Sequence, residues 1–113
     1  MATTMLAGSE LLVSAKSREV QRGMAAEMAA DRIATVRHFL AAAHLDLVLF
    51  KDYLEAGNEE LAIRSGLSAV SCFWRAGDQQ QAAAAAAELS ESFPLRNEEI
   101  QQVLDELRGI ATN

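Results

Sequence analysis

Residues 33–78 decide the fold: IATVRHFLAAAHLDLVLFKDYLEAGNEELAIRSGLSAVSCFWRAGD, running from Ile33 to Asp78. Apolar residues recur at Ala26, Ala29, Ile33, Val36, Leu40, Ala43, Leu47, Phe50 and Leu54. The steps alternate between three and four residues, which holds one stripe on one side of a helix. Leu45, Val48, Leu49 and Tyr53 widen the stripe toward its C-terminal end, so burial on more than one side is expected there. Gly57 stops this helix, because glycine enters the left-handed conformation without a Cβ penalty. Asn58 is placed to cap the next helix, and Glu59 and Glu60 put negative charge at the positive end of its dipole. That second helix, about 59–76, carries the stripe Ile63, Leu67, Val70 and Trp74. Beside it runs a small-residue face, Ala62, Gly66 and Ala69, ending at Phe73. Small residues let two helices approach closely. Gly77 and Asp78 then repeat the stop and restart, and Asp78 with Gln81 has capping-box spacing.

Upstream, residues 1–8 read as a flexible tail and residues 9–113 as one all-helical domain. Ser9 and Glu10 open a first helix over about 9–22, with Leu12, Val13 and Val20 on its apolar side. Gly23 is expected to break it from the long striped helix that follows. Downstream, a helix over about 79–92 contains six consecutive alanines, residues 82–87. Ala82, Ala86, Leu89 and Phe93 share one face, as befits an inner helix packed tightly. Pro94 ends it, since proline disfavours the helical conformation in the residue before it. Asn97 is expected to cap a last helix with Ile100, Val103, Leu104 and Leu107 on its apolar side, and Gly109 to close it. No stretch alternates as a strand does. The fold class is therefore all-α, with four to five antiparallel helices packed as helical hairpins or a small bundle on short loops.

The chain has 113 residues, half of them apolar and 5% aromatic, so alanine supplies much of a thin, closely packed core. Net charge is −6, and residues 58–113 hold nine acidic against four basic side chains. Such a balance argues against binding a phosphate backbone as the main task, so no nucleic acid is expected as partner. Acidity suits a basic partner, and it is also the ordinary route to solubility. A single cysteine, Cys72, excludes an internal disulfide and, inside the apolar run 70–74, reads as a buried structural thiol. No apolar run approaches the ~20 residues of a membrane span. The start lacks a basic region before its apolar letters, so no secretory signal is read and a cytoplasmic location is expected.

The two Ala-Gly-(Asn/Asp) joints lie 20 residues apart, with Tyr53 and Phe73 four residues before each glycine and Ala62 and Ala82 five after it. The stretch from Cys72-Phe73-Trp74-Arg75-Ala76-Gly77-Asp78 through Ala82 to Phe93-Pro94 resembles the turn and second helix of a tetratricopeptide repeat. The match departs from the family at Gly66, at Ala69-Val70 and at Ala86, and a spacing of 20 residues is not the family period. What the resemblance implies is helical-hairpin architecture and the binding of other proteins or peptides, some members acting as adaptors or small chaperones of secretion systems.

Chemistry-bearing motifs are few. His38 and His44 are six residues apart, about 120° apart on a helix, which does not suit a helical metal site. No glycine-rich phosphate loop and no nucleophile elbow occurs, so neither metal nor cofactor is expected. The carboxylates fall in first turns or in helix pairs such as Glu60 with Arg64 and Lys51 with Glu55. Arg32 and His38 have an Arg-x5-His spacing that resembles the ribonuclease motif of HEPN domains, which are small helical bundles acting as dimers. The residue after the arginine is Ile33, where that family prefers a polar one. The plainer reading makes Arg32 and His38 solvated side chains flanking the stripe.

The expectation is thus a non-enzymatic interaction protein: an adaptor, co-chaperone or assembly subunit whose partner is another protein, a peptide or a second copy of itself. Leu45, Leu49, Tyr53, Phe73 and Trp74 are the residues expected at its groove, although Phe73 and Trp74 read first as core residues that cap the helical hairpin. The alternative is a HEPN-like ribonuclease using Arg32 and His38.

Overall fold

The computed structural model describes residues 2–112, with side chains over 9–110. The tail expected over residues 1–8 lies outside the described side chains. Five α-helices follow one another: α1 Ala2–Met28, α2 Arg32–Glu55, α3 Glu59–Arg75, α4 Gln79–Ser92 and α5 Asn97–Thr112, with a 3-10 turn at Pro94–Arg96 before the last. No strand occurs among the described residues. The Cα extents are 42 × 33 × 18 Å. The thin dimension is about two helix layers at the usual spacing of ~8–10 Å.

Three joints share one construction. At each, the backbone N–H of an Asp or Asn reaches back to the carbonyl five residues earlier. Asp31 N donates to Ala26 O at 2.9 Å, Asn58 N to Tyr53 O at 2.9 Å and Asp78 N to Phe73 O at 2.9 Å. The residue before it sits at positive φ: Ala30 at 57°, Gly57 at 74° and Gly77 at 79°. The Asp or Asn side chain then accepts from the N–H three residues on, in Ala34, Leu61 and Gln81. One short segment thereby satisfies the last carbonyls of one helix and the first amides of the next.

The first of these joints corrects the expected break at Gly23, which lies inside α1. A Cβ on Gly23 would stand 2.8 Å from the Phe39 ring, so the glycine marks a close crossing of α1 and α2. Helix α2 therefore begins at Arg32, and its buried face differs from the stripe that defined it in the sequence. Ile33 is 78% exposed. The buried residues are Thr35, Phe39, Ala42, Ala43, Asp46, Leu49 and Phe50. They span two neighbouring faces, because α2 packs on α1 and on α3. By length and composition α2 would suffice to cross a membrane, which the absence of an uninterrupted apolar run did not suggest. In this fold α1 and α3 pack on it and bury 39% of its most apolar window.

Helix α3 is the hub, in contact with α2, α4 and α5. Its small face, Ala62, Gly66 and Ala69, is buried as the pattern requires. A Cβ on Gly66 would meet Leu89 at 2.8 Å and Phe50 at 3.3 Å, so α4 and α2 both close on that point. Leu89 and Ala82 are fully buried beneath the alanine run, and Ile100 and Leu104 carry α5 into the same core. Helix α4 ends at Ser92, and Phe93 turns extended at φ −133° ahead of Pro94. Two expected terminators of α5 do not act. Asn97 is already helical at φ −58° and follows directly on the 3-10 turn. Gly109 lies within the helix.

Candidate functional site

A concavity opens where α1, the end of α2 and the start of α3 meet. Its volume is about 520 Å³, within the ~300–1,000 Å³ range of ligand-sized clefts. Helix α1 contributes Ser9, Glu10, Val13 and Ser14; the last turns of α2 contribute Asp52, Tyr53 and Ala56; the α2–α3 joint adds Asn58 and Leu61. The joint itself shapes the cleft. Gly57 reverses the chain, the Tyr53 carbonyl holds the Asn58 amide, and the Tyr53 ring is left half-buried along the wall. Val13, Tyr53 and Leu61 form the apolar part.

The same three side chains back onto a smaller chamber of about 140 Å³, lined also by Lys16, Asp46, Arg64, Ser65 and Ser68. Asp46 is 1% exposed, and neither carboxylate oxygen accepts a hydrogen bond of good geometry. Lys16 Nζ stands 3.9 Å from Oδ1. Burial pushes the Asp46 carboxyl up to about 6, and the Ser68 hydroxyl and Lys16 beside it only partly offset that. Sequence reasoning passed over Asp46. The signal was there, a lone carboxylate inside the apolar run 45–50, on the face that turns toward α1.

The five residues expected at a groove are scattered. Tyr53 lies in the large cleft and Leu49 on the wall of the small chamber. Leu45 lies in a separate groove between α1 and α2, with His44 and Val48. Trp74 lines a fourth, where α3, α4 and α5 meet, beneath the Arg108 guanidinium at 5.2 Å. Phe73 is 0% exposed and Leu49 1%, so both are core and Phe73 offers no surface.

Arg32 is exposed, as its reading as a solvated side chain expects, while His38 is half-buried; both are also engaged in the fold. Arg32 donates to the carbonyls of Arg75 at 3.5 Å and Ala76 at 3.3 Å, tying the start of α2 to the end of α3. His38 Nδ1 lies 2.6 Å from Glu19 Oε2 on α1. The expected local ion pairs are replaced by longer-range ones. Lys51 reaches Glu88 at 2.9 Å, and Glu60 reaches Arg96 at 2.6 Å. Arg96 also holds Glu59 and Glu99, which fastens the start of α5 to the start of α3. His44 meets the Phe73 ring edge-on at 5.5 Å. Cys72 is buried, and desolvation, helped by the Asp46 charge, pushes its thiol up to about 11. Among the described residues, no three His, Cys, Asp or Glu side chains cluster as a metal site would require.

Comparison with protein-family models, with curated proteins and with solved structures finds no match to this chain.

Proposed function

We propose that this chain is a non-enzymatic protein–protein interaction module with tetratricopeptide-like packing, serving as an adaptor, co-chaperone or assembly subunit. The observation that carries the reading is the cleft between α1, α2 and α3. It is concave, it is ligand-sized, and its apolar wall of Val13, Tyr53 and Leu61 is rimmed by polar side chains. Its occupant is a segment of a partner protein that seats an apolar side chain against Tyr53. Aromatic residues at the centre of such patches tend to carry a large share of binding energy. The tetratricopeptide-like element rests on the α3–α4 hairpin. There Gly77 and Asp78 make the turn, Ala82 is fully buried, Trp74 lies along Ala82 and Ala86, and Pro94 follows the second helix.

The test compares Tyr53→Ala with His38→Ala in partner capture and in RNA cleavage, after circular dichroism has shown both variants folded. The interaction reading expects binding lost with Tyr53→Ala, binding kept with His38→Ala, and RNA left intact throughout. RNA cleavage that disappears with His38→Ala would replace it with the ribonuclease reading.

A further inference from the structure

Building on the interaction reading above, we propose that the cleft selects a partner segment carrying a basic side chain next to an apolar one. Glu10 of α1 and Asp52 of α2 line the cleft, and among the described residues no lysine, arginine or histidine does. Among the described residues neither carboxylate has an ion-pair partner or a side-chain hydrogen bond. Several other carboxylates are engaged, Glu19 by Arg22 and His38, Glu88 by Lys51, and Glu59, Glu60 and Glu99 by Arg96, while Glu27, Glu55, Glu91, Glu98, Asp105 and Glu106 stand exposed outside the cleft. Two carboxylates without an ion-pair partner facing one concavity give it a negative field, on a chain of net charge −6. An incoming cation relieves that field, and an acidic segment strengthens it.

The surroundings also set the direction of binding. Behind the wall of Val13, Tyr53 and Leu61, the small chamber presents Lys16 and Arg64 alongside Asp46. Its two cations and one carboxyl repel a basic group that tries to go deeper. The basic side chain therefore stays between Glu10 and Asp52, and the apolar one lies against Tyr53. Lysine and arginine suit this division, since their aliphatic stems pack on apolar surface while the charged end stays in water. A second copy of this acidic chain is a poor occupant on charge alone.

The experiment measures fluorescence anisotropy of three short labelled peptides with the full chain: one of lysine and leucine, one of glutamate and leucine, one of lysine and serine. The lysine–leucine peptide is expected to bind best, and added salt to weaken it. The double variant Glu10→Gln, Asp52→Asn, which changes only surface charge, should weaken that peptide roughly three- to tenfold and leave the glutamate–leucine peptide no worse. Equal binding of the lysine–leucine and glutamate–leucine peptides, or an unchanged affinity in the double variant, overturns the charge selection and leaves the interaction module standing. Preference for the lysine–serine peptide overturns the apolar half of the proposal. Failure of all three peptides to bind, together with partner capture that survives Tyr53→Ala, overturns both readings.

Discussion

Replacing Asp46 by asparagine, which keeps the shape and removes the charge, should stabilise this protein at neutral pH. A free aspartate titrates at 3.8, and here burial holds the carboxyl at about 6. Each tenfold change in a protonation equilibrium is about 1.4 kcal/mol, so the ionised side chain costs the fold about 3 kcal/mol at pH 7. The sign follows from which state binds the proton more tightly. Because the folded form does, the penalty is absent below about pH 4, grows as pH rises toward 6, and is constant above it. The groups facing Asp46 are Lys16 from α1 with Arg64, Ser65 and Ser68 from α3. That figure already includes the attraction of Lys16; a buried amide wants hydrogen bonds of its own, at a cost of about 1–2 kcal/mol at every pH, so the net gain at pH 7 is about 1–2 kcal/mol. Urea unfolding followed by circular dichroism from pH 4 to pH 8, compared at equal m, reads the difference directly. The variant should be about 1 kcal/mol less stable than the parent near pH 4, gain about 2–3 kcal/mol relative to it as pH rises, and reach its full advantage above about pH 6. A variant less stable than the parent at pH 7, or a difference that ignores pH, would refute the reasoning.

Two glycine–alanine exchanges test the joints and the helix crossing. Ala30→Gly should stabilise by about 0.5–1 kcal/mol, since a non-glycine at φ 57° carries a strain of about 1–2 kcal/mol and glycine's larger unfolded-state entropy returns only part of it; a thermal midpoint that falls would contradict this. Gly23→Ala sets helix propensity, worth about 1 kcal/mol in alanine's favour, against a Cβ placed 2.8–3.0 Å from three ring carbons of a fully buried Phe39. Packing should win and the variant lose about 1–2 kcal/mol; a gain in denaturation midpoint would return Gly23 to the role of a mere helix interruption.

Much of the helix plan was legible because it is local. Gly57-Asn58 and Gly77-Asp78 name their own turns, and Pro94 ends α4 by a clash that needs no tertiary partner. The first joint escaped notice because Ala30 stands where glycine stands in the other two, although Ala29-Ala30-Asp31 otherwise repeats Ala56-Gly57-Asn58 and Ala76-Gly77-Asp78. Gly23 drew the break instead, since a sequence cannot distinguish a glycine that bends a helix from one that admits a ring. The cleft was legible only in part. Tyr53 stands out by its aromatic ring, and it does line the cleft. Glu10 and Asp52 become neighbours only when α1 folds back along α2, so no spacing announces them. The same holds for Lys51 with Glu88 and Glu60 with Arg96, where partners on other helices displaced those one turn away.

The three matching joints bear on how the chain finds its shape. Each reverses the path using atoms no more than about five residues apart, so each turn can form before the helices it connects have met. Up to α4, every helix then packs mainly on the one just before it, and closing such short loops costs little chain entropy. Assembly can proceed as a zipper from any of the three turns. Only α5, which skips α4 in the chain order and docks on α3, must wait for a surface already built.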